Sequence, residues 1–384
     1  MRTIETQVAV IGGGATGAGV FRDCALRGIP CVLVEKDDLA AGASGRNHGL
    51  LHSGGRYAVK DTMSAMECIL ENRILRRIAG HCVEDTGGLF VTLPEDDPEY
   101  HRLFLAACEA AHIPAREISV KRALAIEPNL NPAIVAAAHV PDGTVDPFRL
   151  TAANVIDGVA RGGMALTHTE ATAVHSENGR ITGISCRNKK SGDAIEITCR
   201  VVVNAAGVFG QRICKMAGVS VSMLPSKGSM VIIDYRVNNV VINRCRKPSD
   251  GDIIVPGDTV SLIGTTSRTI AYEDIEKLTV DDDEINVLLE DGEKLIPNVS
   301  RTRVLRAYAG VRPLVAPDKG KEGRDVSRGI VLLDHGERDG LFGLVTIAGG
   351  KLTTYRLMAE ETCDLVCRLL DVQAACETHL TPLP

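Results

Sequence analysis

Apolar positions fall into three rhythms along the chain. Unbroken aliphatic runs at Val8–Ile11, Cys31–Val34 and Val201–Val203 have the length of strands buried on both faces. Between the first two, a helix-spaced segment ends near Gly28, so the chain opens as strand, helix, strand. A second rhythm is helical. Met63, Met66, Ile69, Leu70, Ile74 and Ile78 are spaced for one buried face of a helix over 58–82. Further helices are expected at His101–Ala111, at Val120–Ile126 before Pro128, from Pro147 to Arg161 behind an Asp146 cap, at Asp281–Gly292, and from the Gly349–Gly350 turn to Leu370. The third rhythm is that of short strands. Ala165–Val174, Ile181–Arg187 and Ala194–Cys199 form a meander with turns at Gly179 and Ser191–Asp193. More strands are expected at Gly88–Leu93, Met230–Asp234, Ile253–Pro256, Leu262–Thr266, Ile330–Asp334 and Leu344–Ile347.

This order describes an α/β nucleotide-binding domain in pieces, 1–90, 147–222 and 328–370, with a β-rich substrate or cap domain at 91–146 and 223–327. A polar tail, 371–384, is expected to be loose.

The opening unit carries chemistry. Gly12, Gly14 and Gly17 stand in G-x-G-x-x-G spacing directly after the first strand, and Glu35 ends the second. The first glycine permits a tight turn and the second lets backbone approach a pyrophosphate. The third lets helix and sheet close up, and the acid takes a ribose hydroxyl pair. The helix N-terminus offers N–H donors to the phosphates. The small-residue strand exit at Asn204–Gly210 is a second place for a flavin or nicotinamide to lie against backbone.

Composition narrows the classes. The chain has 384 residues, 45% of them hydrophobic, so it can bury a large core; with no Trp and 3% aromatics that core is aliphatic. A net charge of -6 without basic tracts points away from nucleic acid. No apolar run reaches membrane-spanning length, and polar Met1–Gln7 leads at once into the first strand, so neither a transmembrane helix nor a signal peptide is expected. The expected location is cytoplasmic, peripheral at the membrane only through partner subunits. The 12 cysteines include no C-x-x-C pair, so reduced buried thiols and no metal site are expected.

Motifs along nearly the entire chain extend this picture: Val10–Gly28, Gly42–Val59, Val140–Asn154, Asn204–Gly210, Asn243–Gly257, Ile263–Ser267, Gly310–Leu314 and Gly349–Arg356. In that order they resemble the FAD-dependent glycerol-3-phosphate dehydrogenases, and the NRCRKPSDGDIIVPG segment resembles the flavoprotein subunits of the anaerobic bacterial enzymes. The resemblance implies a glutathione-reductase-like FAD-binding Rossmann domain with a β-rich substrate domain, in the glycine and D-amino-acid oxidase branch. It implies noncovalent FAD and oxidation of sn-glycerol 3-phosphate to dihydroxyacetone phosphate. Hydride passes from C2 to flavin N5, and electrons pass through partner subunits to a quinone pool. Such flavoproteins also carry a C-terminal domain with a cysteine cluster for a [2Fe-2S] centre. No such cluster occurs in this sequence, so the chain is expected either to be a truncated form or to pass electrons by another route.

The resemblance also assigns residues. For FAD these are Gly12, Gly13, Gly14, Thr16, Gly17, Glu35, Lys36, Ser44, Arg46, His48, Gly49, Leu50, Leu51, Val174, Ala205, Ala206 and Gly207. The late turn adds Gly349, Gly350, Lys351, Leu352 and Thr353 near the flavin pyrimidine. A dianionic phosphate wants cationic forks, here Arg56, Arg268 and Arg312, with Tyr57, Thr265 and Thr353 as hydroxyl partners. His52 is the candidate base beside Arg312 and Lys351 as catalytic cations, because imidazole titrates near neutrality. The rival expectations are an oxidase acting on glycerol phosphate or an amino acid with O2, and a non-catalytic flavin-binding protein of a respiratory complex.

Overall fold

The computed structural model describes residues 2–316 and 329–384. The chain divides into two compact units, one of Met1–Gly45, Pro147–Pro225 and Val311–Pro384, the other of Arg46–Asp146 and Ser226–Gly310.

The first unit is built on a six-stranded sheet in the order Met164–Leu166, Cys31–Val34, Val8–Ile11, Val201–Asn204, Leu344–Gly349, Ile330–Asp334, all parallel but the last strand. Alternate residues of each strand point to opposite faces. Val8, Val10, Leu33, Val203 and Val345 pack with Phe21, Ala359 and Val366 of the helices Ala15–Leu26 and Tyr355–Leu370. Ala9, Ile11, Val32, Val34 and Val202 pack the other way, on Ile184, Ile195 and Ile197. Those residues belong to a four-stranded sheet ordered Arg2–Glu5, Ala194–Thr198, Arg180–Asn188, Thr169–Glu177. Helices on one face and a meander on the other explain why the sheet strands are apolar at every position. Each large aliphatic side chain among them contributes about 1.5–3 kcal/mol on burial.

The second unit holds a larger sheet, ordered Arg268–Thr269, Met223–Ile233, Val260–Gly264, Ile253–Gly257, Val241–Arg244, Gly88–Thr92, Ala136–Val140, Arg116–Ile118, with Val304–Val315 also paired to Met223–Ile233. The same alternation works here. Leu89 and Val91 pack with Leu288 and Leu295 of the helix Asp282–Leu295, while Phe90 packs with Ile69 and Phe104. A three-stranded sheet joins Leu50–Leu51, Gly143–Val145 and Val83–Glu84.

Several expectations are corrected. Residues 46–90 cluster with the second unit, not with the nucleotide domain, and 317–327 of the expected substrate domain, like residue 328, lie outside the described residues. The expected 58–82 helix is a short turn at Gly55–Ala58 and a helix at Thr62–Ile78. Its buried face includes Ala65, Cys68, Ile69, Asn72 and Leu75, and Met63 and Leu70 are exposed. The reason is Asn72: its amide donates to the carbonyls of Leu51, His52 and Pro141, which turns a polar residue inward and sets the helix phase. Met164–Leu166 leaves the meander and pairs with Cys31–Val34.

The tail is not loose. Arg22, 1% exposed, donates to Asp157 at 2.7 Å and to the carbonyl of Thr381 at 2.8 Å. Arg27 reaches the carbonyl of Ala374 at 3.0 Å, and Arg356 reaches Thr378 Oγ1 at 3.0 Å. Three buried arginines thus find acceptors in a segment whose composition reads as polar coil. Among the described residues no helix is long and apolar enough to cross a membrane.

Candidate functional site: a dinucleotide cradle and a histidine-arginine loop

Gly12 leaves the first strand with φ +116°, and a Cβ there would lie 2.5 Å from the Ala205 carbonyl oxygen. At Gly17 a Cβ would lie 1.9 Å from the Gly12 carbonyl oxygen. Only glycine lets the turn and the helix start close up this far. The helix Ala15–Leu26 is capped by Gly14, which has no side chain to occupy the first-turn donors, and no acid stands in its first turn. Ser44 Oγ accepts from Ala15 N at 2.8 Å. The remaining N–H groups and the helix dipole face an anion's position.

Glu35 is fixed at the neighbouring strand end, accepting from Gly13 N at 2.6 Å and Asp37 N at 2.8 Å. Each carboxylate oxygen keeps a lone pair for a ribose hydroxyl. Thr16 donates to Met358 Sδ at 3.7 Å, and Lys36 Nζ lies 3.7 Å from the Phe209 ring centroid. Phe209, which also carries the Arg212 guanidinium 5.1 Å from its centroid, was not anticipated. Its only signal was its place in the NAAGVFG strand exit.

Ala205 is buried and Ala206 and Gly207 half-buried. Asn204 sets this exit by donating to Gly210 O at 2.9 Å and Thr346 Oγ1 at 3.2 Å. Val174 lies inside the Thr169–Glu177 strand opposite Ile184, not at its end, and shares a cluster with Ala206.

Gly349 and Gly350 both have left-handed backbones at the end of the Leu344–Gly349 strand. Lys351 and Leu352 are half-buried before the Tyr355–Leu370 helix. Thr353 is fully buried, so its hydroxyl is not presented to a ligand as expected. Arg312 is half-buried within the Val304–Val315 strand.

The second unit gathers His48, His52 and Tyr57. The His52 ring lies 6.0 Å from that of His48 and 5.3 Å from that of Tyr57. Their loop is pinned by Asn72 on the His52 carbonyl and by Ser53 N donating to Asp142 at 2.7 Å. Burial pushes the Asp142 carboxyl up, against the hydrogen bonds from Ser53 and Asn243 that lower it. His48 Nδ1 accepts from Leu50 N at 3.2 Å, which leaves Nε2 to carry the proton of a neutral ring. The ring lies 3.8 Å from the Cβ position of Gly264, next to half-buried Thr265.

Arg56 donates to Asp252 at 3.3 Å, and Asp252, 1% exposed, also accepts from Arg246 and Ser249 N. The sequence reading missed Asp252 as the anchor of Arg56; its signal was the SDGD run.

Other expected residues are placed differently. Leu50 and Leu51 are buried in the small sheet, 2% and 0% exposed, and present no side chain to a cofactor. Gly49 is likewise buried, its carbonyl accepting from Val145 N. Arg268 is exposed and bound to Asp283 at 2.7 Å, with Asp281 and Glu284 near, so its charge is already met by acids. Arg46 is exposed, and its backbone packs at Gly310.

Among known proteins, the profile described as "DAO: FAD dependent oxidoreductase" matches residues 7–365. The chain belongs to the FAD dependent oxidoreductase family. Its cofactor is FAD, and the cradle's open helix start and anchored Glu35 suit a dinucleotide pyrophosphate and ribose. Within this family, the chain is 57% identical over 387 residues to the flavoprotein of the anaerobic glycerol-3-phosphate dehydrogenase of Escherichia coli (strain K12), covering 100% of this chain and 71% of that protein.

Solved family structures show the same fold. The glycerol-3-phosphate dehydrogenase from Bacillus halodurans complexed with FAD superposes with a TM-score of 0.72 at 25% identity, covering 99% of this chain and 68% of that one. Glycine oxidase from Geobacillus kaustophilus gives 0.78 at 22% identity, covering 99% of both. The likeness places the fold in the glycine and D-amino-acid oxidase branch, as the sequence implied.

Proposed function

We propose that the chain oxidises sn-glycerol 3-phosphate to dihydroxyacetone phosphate with FAD. What carries the reading is the 57% identity, across the whole chain, to the Escherichia coli anaerobic glycerol-3-phosphate dehydrogenase protein. The Gly12–Gly17 turn and Glu35 hold the dinucleotide, and Ser44 fixes the start of the helix beneath the pyrophosphate. When bound, FAD supplies the acceptor for the C2 hydrogen and its electron pair.

The chain's own residues do the rest. Arg56, Arg312 and Lys351 bind the phosphate, with Tyr57 and Thr265 as hydroxyl partners. Asp252 orients the Arg56 guanidinium and so reduces the freedom lost on binding. His52 takes the C2 hydroxyl proton as the C2–H bond breaks and the carbonyl forms. Partner subunits carry electrons onward to a quinone pool, and any position at the membrane comes through them.

The test is anaerobic. The flavin absorbance of the purified holoprotein bleaches on addition of sn-glycerol 3-phosphate. Glycerol, which leaves the phosphate cations unmet, reacts at least about a thousandfold less efficiently. Bound flavin that glycerol 3-phosphate does not reduce rejects the substrate.

A further inference from the structure

The tail that the three arginines hold down brings together a set of donors that the oxidation does not use. Glu360 lies on the Tyr355–Leu370 helix, and Cys376 and His379 lie in the tail as C-x-x-H. One ligand atom of each falls within 4.8 Å of the others, and all three residues are half-buried. Cys376 is also the one cysteine of the chain that is not buried. We propose that Glu360, Cys376 and His379 form a zinc site that fastens the tail to the Tyr355–Leu370 helix.

The donor set selects the metal. Thiolate and imidazole together favour Zn2+ over Mg2+ or Ca2+, which take oxygen ligands. Zinc bonds of about 2.0–2.3 Å need the donors to draw in by roughly 1 Å, within the reach of three side-chain rotations. Arg356 Nη1 donates to Glu360 Oε2 at 2.6 Å, which orients the carboxylate and leaves its other oxygen for the metal. The same arginine holds Thr378 Oγ1 at 3.0 Å, between Cys376 and His379 in sequence, so both halves of the site are fixed by one side chain. Three protein ligands leave the fourth tetrahedral position to water. On binding, the Cys376 thiol releases its proton to solvent, the sulfur bonds to the metal, and no electron changes hands.

Cobalt chloride, whose thiolate complexes absorb in the near ultraviolet, is titrated into the purified holoprotein. One cobalt per chain with a thiolate-to-cobalt band, displaced by zinc chloride, is the expected result. Cys376→Ser removes the band, His379→Gln weakens binding by at least about tenfold, and Cys367→Ser, a buried thiol outside the set, retains it. No band, or a band that survives Cys376→Ser, overturns the site. A second measurement needs no variant. Zinc should slow alkylation of the one accessible thiol at least about tenfold in the native protein, and an unchanged rate overturns the proposal equally.

Discussion

Gly17→Ala tests the cradle most directly. The added methyl would sit 1.9 Å from the Gly12 carbonyl oxygen and 3.3 Å from Ala205 Cβ. The near atom is backbone, so no rotamer can clear it, and the helix start must retreat by about 1 Å or more. Overpacking costs about 1–3 kcal/mol, and a rigid contact belongs at the upper end. At about 2–4 °C per kcal/mol for a unit of this size, the melting temperature of the first unit falls by roughly 6–12 °C.

The same retreat carries the helix N–H groups away from the pyrophosphate. Flavin is therefore lost on gel filtration, and added FAD restores less of the melting temperature than in the native protein. Gly28→Ala is the control. Its φ is +71° but nothing lies within 4 Å of an added methyl, so it costs only the left-handed conformation, about 1–2 kcal/mol, and keeps its flavin. Gly17→Ala with full flavin and a native melting temperature would refute the reasoning. So would equal flavin loss in both variants.

Replacing Arg56 or Arg312 by Ala should lower kcat/KM for glycerol 3-phosphate about ten- to a few hundredfold with flavin content unchanged, as loss of one charge-assisted bond implies; steady-state kinetics on flavin-loaded protein decide it, and unchanged kinetics would remove that residue from the phosphate site. Burial lowers the pKa of His101 and His139 below the ordinary 6.5, against a smaller upward pull from Glu117 on His101. The unfolded chain therefore binds more protons, so the stability they contribute is present above about pH 6.5 and is lost as pH falls through their folded values. Urea unfolding between pH 7 and 5 should show this slope flattened in His101→Gln, and an identical slope would reject the assignment. Arg22→Ala leaves Asp157 without its closest cation and the Thr381 carbonyl without its donor, costing about 3–5 kcal/mol. Carboxypeptidase should then remove the tail at least about tenfold faster, and native resistance would show that Arg22 does not hold it.

The dinucleotide cradle was legible in the sequence because its parts are local. Gly12, Gly14 and Gly17 answer to a turn and a helix start within a few residues, and Glu35 follows one helix later. The continuous apolar strands were legible for a related reason: burial on two faces removes every polar position. What escaped depended on distant partners. Asn72 points inward because three carbonyls wait there, which no periodicity within the Thr62–Ile78 helix encodes. Arg268 looks like Arg56 as a residue in a motif, yet one meets Asp283 on an exposed rim and the other meets buried Asp252.

The tail shows the same limit. Its composition reads as coil because its acceptors are backbone carbonyls of Ala374 and Thr381, and their donors, Arg27 and Arg22, are more than three hundred residues away. Sequence by itself determined the local conformations and the cofactor class, where neighbours in the chain are neighbours in space. Tertiary structure decided which charges are paired and which segments are held, because a buried charge takes whatever partner the fold brings within about 3 Å.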